Sequence, residues 1–206
     1  MGELILVRHG ETEWSRTGRY AGRTDVPMTE AGRTAARRLA PVLSARRPIA
    51  AFTSPAGRAV QTASLIGLAE VRTDADLWEW DYGGYEGLTE QQISAARPGW
   101  NLWHDGVVPG EAGYPGESVA QVGARVDAVL DRVRPLLAGG DVALVLHGHL
   151  QRVLAARWLG LPPEAGRLLR HPGTGTLSTL GTEHDEPVIG TWNVPAAVAA
   201  ASAAAD

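Results

Sequence analysis

The chain has 206 residues, a formal net charge of −4 and no cysteine. This length favours one domain with a sizeable core, and the acidic balance argues against a nucleic-acid partner, which usually needs a basic face. The absence of cysteine excludes disulfides and thiolate metal sites. No apolar run approaches the roughly 20 residues of a membrane span, and the N-terminus lacks a signal-peptide pattern, so we expect a cytoplasmic protein without a membrane partner.

The first apolar run, residues 4–7, has the pattern of a strand buried on both faces. It is followed at once by Arg8, His9 and Gly10. Ligand crevices of open α/β sheets lie at the carboxyl ends of the strands, so a cation and a titratable ring at this point indicate a binding or catalytic site. Glu11, next along the chain, either orients His9 or lies in a solvated loop.

The next part of the chain alternates predicted helices with short strands. The elements, in order, are a polar loop at 10–27, a helix over 29–46 that Pro41 kinks or ends early, a strand over 49–53, a helix opened by Ser54 and Pro55, a short strand over 71–73, a helix over 89–96, an irregular segment over 98–115, and a long helix that starts at Ser118 with a capping box.

A second fully apolar strand, residues 142–146, also ends in histidine, in the triplet His147, Gly148 and His149. A helix over 150–159 and strands near 176–180 and 188–192 complete one domain, predicted as residues 1–195. The alanine-rich tail, 196–206, has no apolar partner pattern and is predicted to be disordered. Strands that alternate with helices predict an α/β three-layer sandwich, with a mostly parallel sheet and helices on both faces.

Two buried strands thus each place a histidine at the carboxyl end, and a parallel sheet would bring those ends side by side. Phosphoryl transfer needs cations and hydrogen-bond donors around the phosphate oxygens. Arg8 has the planar fork that binds phosphate with two nitrogens, and Arg58 lies early in a predicted helix, where backbone N–H groups also attract anions. With His9 and His147 these arginines would form a basic phosphate pocket.

In such a pocket a neutral ring nitrogen of His9 can attack phosphorus and form a phosphohistidine, which water then hydrolyses. The leaving alkoxide needs a general acid, and burial or a nearby phosphate dianion favours the protonated form of a carboxyl group. Glu79, between Trp78 and Trp80, is the best candidate for this role.

Several motifs follow one another in order along residues 4–152: LILVRHGE, TSPAGRAVQTA, LWEWDYGGYEG, GES and HGH. This ordered set resembles the histidine phosphatase superfamily, also called the phosphoglycerate-mutase-like family. The resemblance implies that family's fold and its site roles, and we expect neither a metal nor another cofactor. The roles fall on the nucleophile His9, the phosphate ligands Arg8 and Arg58, the acid/base Glu79, the second pocket histidine His147, and substrate contacts at Ser15, Gly22, Gly148 and His149.

Within the family, EWDYG–YEG, NLWHDG and the HGH form resemble one branch, which includes mycobacterial-type acid phosphatases and fungal sedoheptulose-1,7-bisphosphatases. The more usual family form has glycine in place of His149, so this histidine either touches the substrate or caps the next helix. The branch favours sugar phosphates among small phosphate esters as the substrate. A homodimer is compatible with the sequence.

Three other functions fit parts of the sequence. A cofactor-dependent phosphoglycerate mutase would need extra cations above the pocket, but Arg97 is the only arginine or lysine from 90 to 117. A metal hydrolase could use His147 and His149, although zinc usually needs a third protein ligand and none is evident nearby. A non-catalytic module that binds phosphorylated ligands would typically lose the nucleophile or the acid, and both are present. The sequence therefore favours net hydrolysis of a phosphomonoester.

Overall fold

The computed structural model describes residues 2–203, which form a six-stranded sheet covered by helices. The strands are β1 (Leu4–Arg8), β2 (Ala50–Thr53), β3 (Arg72–Thr73), β4 (Val142–Leu146), β5 (Thr176–Glu183) and β6 (Glu186–Pro195). Their order across the sheet is β3-β2-β4-β1-β5-β6. The first four strands pair in parallel, and only β5 pairs antiparallel with its neighbours β1 and β6. The prediction of a mostly parallel α/β sheet is confirmed.

Nine α-helices are present in the described part of the chain. They are α1 (Glu13–Thr17), α2 (Glu30–Arg37), α3 (Ala40–Arg46), α4 (Gly57–Leu65), α5 (Glu90–Ala96), α6 (Leu102–Asp105), α7 (Val119–Val133), α8 (Gly148–Trp158) and α9 (Ala196–Ala203). None of these described helices has the length and apolar character needed to cross a bilayer.

The two faces of the sheet bury two separate apolar cores. Side chains alternate along a strand, so Leu4 and Leu6 of β1 pack on one face with α7 and α8, while Ile5 and Val7 pack on the other with α2, α3 and α4. The strand β4 follows the same alternation and all five of its residues are buried. Strands that are buried on both faces explain the unbroken apolar runs of β1 and β4.

Parallel pairing of β1 with β4 aligns the carboxyl ends of the two strands. Val7 is opposite Val145 and Arg8 is opposite Leu146. The pairing continues one residue further, because the backbone N–H of His9 donates to the carbonyl of Leu146 at 3.0 Å. The two histidine-bearing loops therefore leave neighbouring strands at the same edge of the sheet, as expected from the sequence.

Several helix boundaries follow the local sequence signals. The predicted helix over 29–46 is divided into α2 and α3, with Pro41 in the first turn of α3. The capping box at Ser118 is present, since its hydroxyl accepts the Gln121 N–H and the Gln121 side chain accepts the Ser118 N–H. The irregular segment 98–115 contains only the short helix α6.

One predicted helix start is wrong. The helix expected to open at Ser54 and Pro55 begins at Gly57, because the Ser54 hydroxyl accepts the Ala56 N–H at 3.3 Å and Ala56 has extended, non-helical angles.

The predicted disorder of the alanine-rich tail is also wrong over Ala196–Ala203, which forms α9. Alanine has the highest helix propensity, and its small side chain allows the helix to lie close to the core. Ala196 and Ala199 are buried in the cluster that also contains Val42 and Leu43 of α3. This helix therefore belongs to the domain, and residues 204–206 lie outside the described residues.

Candidate active site

The loop that follows β1 is held by close contacts with two helices. The Gly10 N–H donates to Thr62 Oγ1 of α4 at 3.0 Å. Gly32 of α2 lies against the same loop, and a Cβ at Gly32 would lie 2.3 Å from the carbonyl oxygen of Glu11. Glu11 itself accepts a hydrogen bond from the Thr29 hydroxyl at 2.8 Å. Its contact is thus with the N-cap of α2 rather than with His9.

The ring of His9 is buried and has a defined orientation. Its Nδ1 lies 2.8 Å from the carbonyl oxygen of Gly10, which can only accept, so Nδ1 carries the proton and Nε2 keeps a free lone pair. Burial, with the charges of Arg58 and Arg8 as further causes, lowers the pKa of His9 well below its usual range. His9 is therefore a neutral imidazole with Nε2 available as a nucleophile.

His147 lies beside His9, with the two ring centroids 5.1 Å apart. Its Nε2 is 2.8 Å from the hydroxyl oxygen of Ser54. Because that hydroxyl already accepts the Ala56 N–H, its own proton is free to be donated to Nε2. The proton of His147 is then on Nδ1, which is buried and has no hydrogen-bond partner among the described residues. Burial lowers the pKa of His147 well below its usual range.

Arg8 directly precedes His9, and one end of its guanidinium group is hydrogen-bonded. Its Nη1 donates to the carbonyl of Pro172 and to His171 Nδ1, the latter at 3.2 Å. Since an arginine only donates, the His171 Nδ1 must be the acceptor. Desolvation lowers the pKa of Arg8 to about 10, so the side chain keeps its charge at neutral pH. The Nε of Arg8 is buried without a partner in the described chain.

Arg58 is almost fully buried near the start of α4, with 1% of its surface exposed. Its terminal nitrogens donate to the carbonyls of Ala21, Gly22 and Thr24, and Asp25 lies 3.6 Å away. These bonds leave its Nε buried and unpartnered within residues 2–203. Burial lowers the pKa of Arg58.

The carboxyl group of Glu79 lies at the N-terminus of α8. One carboxylate oxygen accepts the N–H groups of Trp80 and Leu150, both at 2.9 Å, and the other accepts the His149 N–H at 3.0 Å. Arg125 of α7 binds the backbone next to this carboxyl group, since it donates to the Glu79 carbonyl at 3.1 Å. The carboxyl group is therefore fixed in position and not carried on a mobile chain.

A cavity of about 390 Å³ opens above these groups. Of the residues expected at the site, Arg8, His9, Ser15, Glu79 and His149 line it. His147 is fully buried and Arg58 nearly so, next to the lining residues. The described residues that line the cavity also include Thr12, Gly18, Arg19, Tyr20, Ala21, Tyr82, Glu90, Arg152 and His171.

Two glycines expected to contact the substrate have a packing role here and are not among the described lining residues. A Cβ at Gly22 would lie 2.3 Å from Glu86 Oε1, the oxygen that accepts the Gly22 N–H. A Cβ at Gly148 would lie 2.5 Å from the ring of His171. Each glycine therefore allows a side chain to come close: Gly22 admits the Glu86 carboxylate that holds the loop around Arg58, and Gly148 admits His171.

Nine of the described lining residues were not identified from the sequence, among them His171, Tyr82 and Arg152. His171 follows no apolar strand, and its link to Arg8 joins residues 163 positions apart. Tyr82 and Arg152 lie close in sequence to the motifs of Glu79 and His147. Tyrosine is common in cores and arginine is common on helix surfaces, so neither residue type indicates a functional site by itself. In the described residues, no group of three or more histidines and carboxylates is arranged to hold a metal ion.

Together these groups surround a neutral His9 Nε2 with cationic and neutral N–H donors. Such an arrangement can stabilise the charge of a phosphoryl group while a nitrogen attacks it. Glu79 also lines the cavity, and a carboxyl group there can exchange a proton with an oxygen of a bound ester.

The comparisons with known proteins agree on one family. The family model of the histidine phosphatase superfamily (branch 1) matches residues 4–195. An acid phosphatase of Mycobacterium tuberculosis is 40% identical over 184 residues, covering 88% of this chain and 87% of that protein. A sedoheptulose 1,7-bisphosphatase of Saccharomyces cerevisiae is 34% identical, covering 76% and 67%. A probable phosphoglycerate mutase GpmB of Yersinia enterocolitica is 36% identical, covering 82% and 80%.

A solved structure supports the same relationship. The product of the Mycobacterium tuberculosis open reading frame Rv3214 superposes with a TM-score of 0.87 at 36% identity. The alignment covers 95% of this chain and 98% of that one.

The neutral state of the two histidines can be tested by NMR. A histidine in an unfolded chain titrates near pH 6.5, whereas the lowered pKa values of His9 and His147 keep both rings neutral well below that pH. We expect their ring ¹⁵N signals to stay constant from about pH 7.5 to about pH 5.5, while the same residues in urea titrate. Because only the unfolded chain then takes up these protons, the free energy of unfolding should fall as the pH drops below about 6.5. Titration of either ring near pH 6.5 in the folded protein would contradict the lowered pKa values of His9 and His147.

Proposed function

The chain belongs to the histidine phosphatase superfamily, and we propose that it is a metal-independent phosphomonoesterase that acts through a phosphohistidine on His9. The observation that carries this proposal is the set of three buried N–H donors near His9 that lack a partner in the described chain: Arg8 Nε, Arg58 Nε and His147 Nδ1. Leaving one buried donor unsatisfied costs about 1–3 kcal/mol. A phosphoryl group would provide acceptor oxygens for all three, so the site is organised for an anion of this kind.

In the first step His9 Nε2 attacks phosphorus in line with the ester oxygen. The N–P bond forms as the P–O bond breaks, and the departing oxygen takes a proton from the Glu79 carboxyl group. The Nδ1–H of His9 stays on the Gly10 carbonyl, which stabilises the positive charge that the ring gains on phosphorylation. The products of this step are the free alcohol and phospho-His9.

In the second step water attacks the phosphohistidine. Glu79, now a carboxylate, accepts a proton from the water while the N–P bond breaks and returns the electron pair to His9 Nε2. Inorganic phosphate leaves, and the proton taken from water is available on Glu79 for the next turnover. The arginines and His147 keep the same contacts with the phosphate oxygens in both steps, so one set of donors serves both transition states.

We propose small phosphorylated metabolites, in particular sugar phosphates, as the substrates, rather than nucleic acids or lipids. The cavity of about 390 Å³ has room for a compact ester beyond the phosphate. Two relatives support a phosphatase with small substrates, since one is named an acid phosphatase and the other a sedoheptulose 1,7-bisphosphatase.

A mutase is the second candidate, because a relative that is 36% identical is named a probable phosphoglycerate mutase. A mutase must hold its acidic substrate for return transfer of the phosphoryl group. The one basic residue of the 90–117 segment, Arg97, donates to the Tyr85 hydroxyl at 2.6 Å and is not among the described residues that line the cavity. Arg97 therefore supplies no charge to the cavity, whose cations besides Arg8 are Arg19 and Arg152 in the described residues. The two relatives named phosphatases favour net hydrolysis.

Phosphate release in the presence of EDTA tests the proposed function. Esters to assay include p-nitrophenyl phosphate, 3-phosphoglycerate and sugar bisphosphates, with mutase turnover followed in parallel. We expect release of phosphate from at least one sugar phosphate and a loss of about a thousandfold or more in the His9→Ala variant, because the nucleophile is gone. The exposed His104, changed to alanine, is the matched control. Mutase turnover alone, or full activity of His9→Ala, would overturn the proposal.

The acid role of Glu79 predicts a dependence on the leaving group. The Glu79→Gln variant has nearly the same shape but cannot donate a carboxyl proton. We expect the rate of phosphoenzyme formation to fall about a hundredfold for alkyl phosphates and only severalfold for p-nitrophenyl phosphate, whose oxygen leaves without protonation. Single-turnover measurements isolate this step. An equal loss for both classes of ester would remove Glu79 from the acid role.

A further inference from the structure

His149 is a side chain of the cavity that the mechanism proposed above does not use. Its ring is half-buried and lines the cavity, surrounded by four other rings. The centroid distances are 4.8 Å to His171, 5.8 Å to Tyr82, 5.9 Å to Trp103 and 6.0 Å to Tyr20, whose ring is stacked on it. Because its side chain bonds Tyr82 rather than the first turn of α8, it does not cap the helix.

The contact with Tyr82 sets the position of the proton on this ring. The Tyr82 hydroxyl lies 2.7 Å from His149 Nδ1, and Tyr82 is only 2% exposed. Within residues 2–203, His149 Nδ1 is the one hydrogen-bond partner of this hydroxyl, so donation to Nδ1 satisfies its proton inside the protein. The proton of the neutral imidazole is then on Nε2, which has no partner in the described structure and belongs to a ring that lines the cavity.

The charge state of the pair agrees with this assignment. Burial, with the nearby His171, Arg152 and Arg8, lowers the pKa of His149 well below its usual range. Burial and the Glu79 charge raise the pKa of Tyr82 well above its usual range. The pair therefore presents an uncharged N–H donor at neutral pH, which suits a neutral oxygen of a ligand better than a second anion.

The location of His149 indicates which part of a substrate it would meet. Its backbone N–H donates to Glu79 Oε2 at 3.0 Å, so the residue is adjacent to the group that protonates the leaving oxygen. The phosphate donors are other side chains, Arg8, Arg58 and His147. The Nε2–H of His149 is therefore positioned for the alcohol part of the ester.

We propose that His149, oriented by Tyr82, binds a hydroxyl of the leaving alcohol and selects phosphate esters of polyhydroxylated alcohols over those of plain alkyl alcohols. The inference rests on the proposed phosphatase function and deepens it, since it names the feature of the substrate that is recognised. The ring of Tyr20, which also lines the cavity, offers a flat apolar surface for the C–H faces of such an alcohol. His149 is thus a specificity-determining residue and Tyr82 a positioning residue.

A matched pair of esters tests this role. Glycerol 3-phosphate and propyl phosphate are both esters of primary three-carbon alcohols and differ in their hydroxyl groups. We expect the wild-type enzyme to have a higher kcat/KM for glycerol 3-phosphate, by about tenfold, the effect of one neutral hydrogen bond. His149→Leu should remove this preference, and His149→Gln, which keeps an N–H donor, should restore part of it. His104→Leu makes the same change at an exposed site and should retain the wild-type ratio.

Tyr82→Phe gives an independent readout, because it keeps the ring and removes only the hydroxyl. The ¹⁵N shifts of His149 should show a single Nε2–H tautomer in the wild type and a mixture in this variant, and the ester preference should fall with it. The inference is overturned by a wild-type ratio near one, by a ratio unchanged in His149→Leu, or by an Nδ1–H tautomer in the wild type. Failure of the wild-type enzyme to hydrolyse any ester would instead overturn the proposed function.

Discussion

Parallel pairing of β1 with β4 is the interaction on which the site depends. The ladder places Arg8 opposite Leu146 and continues through the His9 N–H to the Leu146 carbonyl. Both strands are buried on two faces, so a slip of one residue would move large apolar side chains into the wrong core. The same register that optimises burial therefore fixes the two imidazoles at 5.1 Å. The geometry of the proposed catalytic site is in this sense a consequence of core packing.

Burial of charged groups is the second constraint, and hydrogen bonds with the backbone offset the desolvation penalty of these groups. Arg58 is desolvated, yet its terminal nitrogens are bound by three carbonyls of the loop at 21–24. The Glu79 carboxyl group is likewise held by three backbone N–H groups. Donors and acceptors fixed by backbone need no reorganisation when charge develops on a bound phosphate, which is the main source of electrostatic catalysis. The donors left without a partner in the described residues belong to Arg8, Arg58 and His147.

The sequence predicts those parts of the site that local patterns determine. Apolar runs that end in histidine locate His9 and His147, and the parallel sheet brings them together. His171 could not be found in this way, because its relation to Arg8 arises from the packing of a loop 163 residues away. The hydrogen bond from Tyr82 to His149 likewise depends on tertiary contact across 67 residues. The helix α9 was missed because alanine gives little amphipathic signal, although its small side chains pack well on α3.

The most direct test of the account is to locate the phosphoryl group during turnover. Rapid mixing with a phosphate ester, alkaline quenching and peptide mapping by mass spectrometry would identify the modified residue, since phosphohistidine survives in base. Catalysis through His9 predicts a phosphoryl group on the peptide that contains His9, formed at a rate no slower than turnover. A phosphoryl group on another residue, or turnover with no phosphoenzyme under conditions that trap one in a known family member, would contradict it.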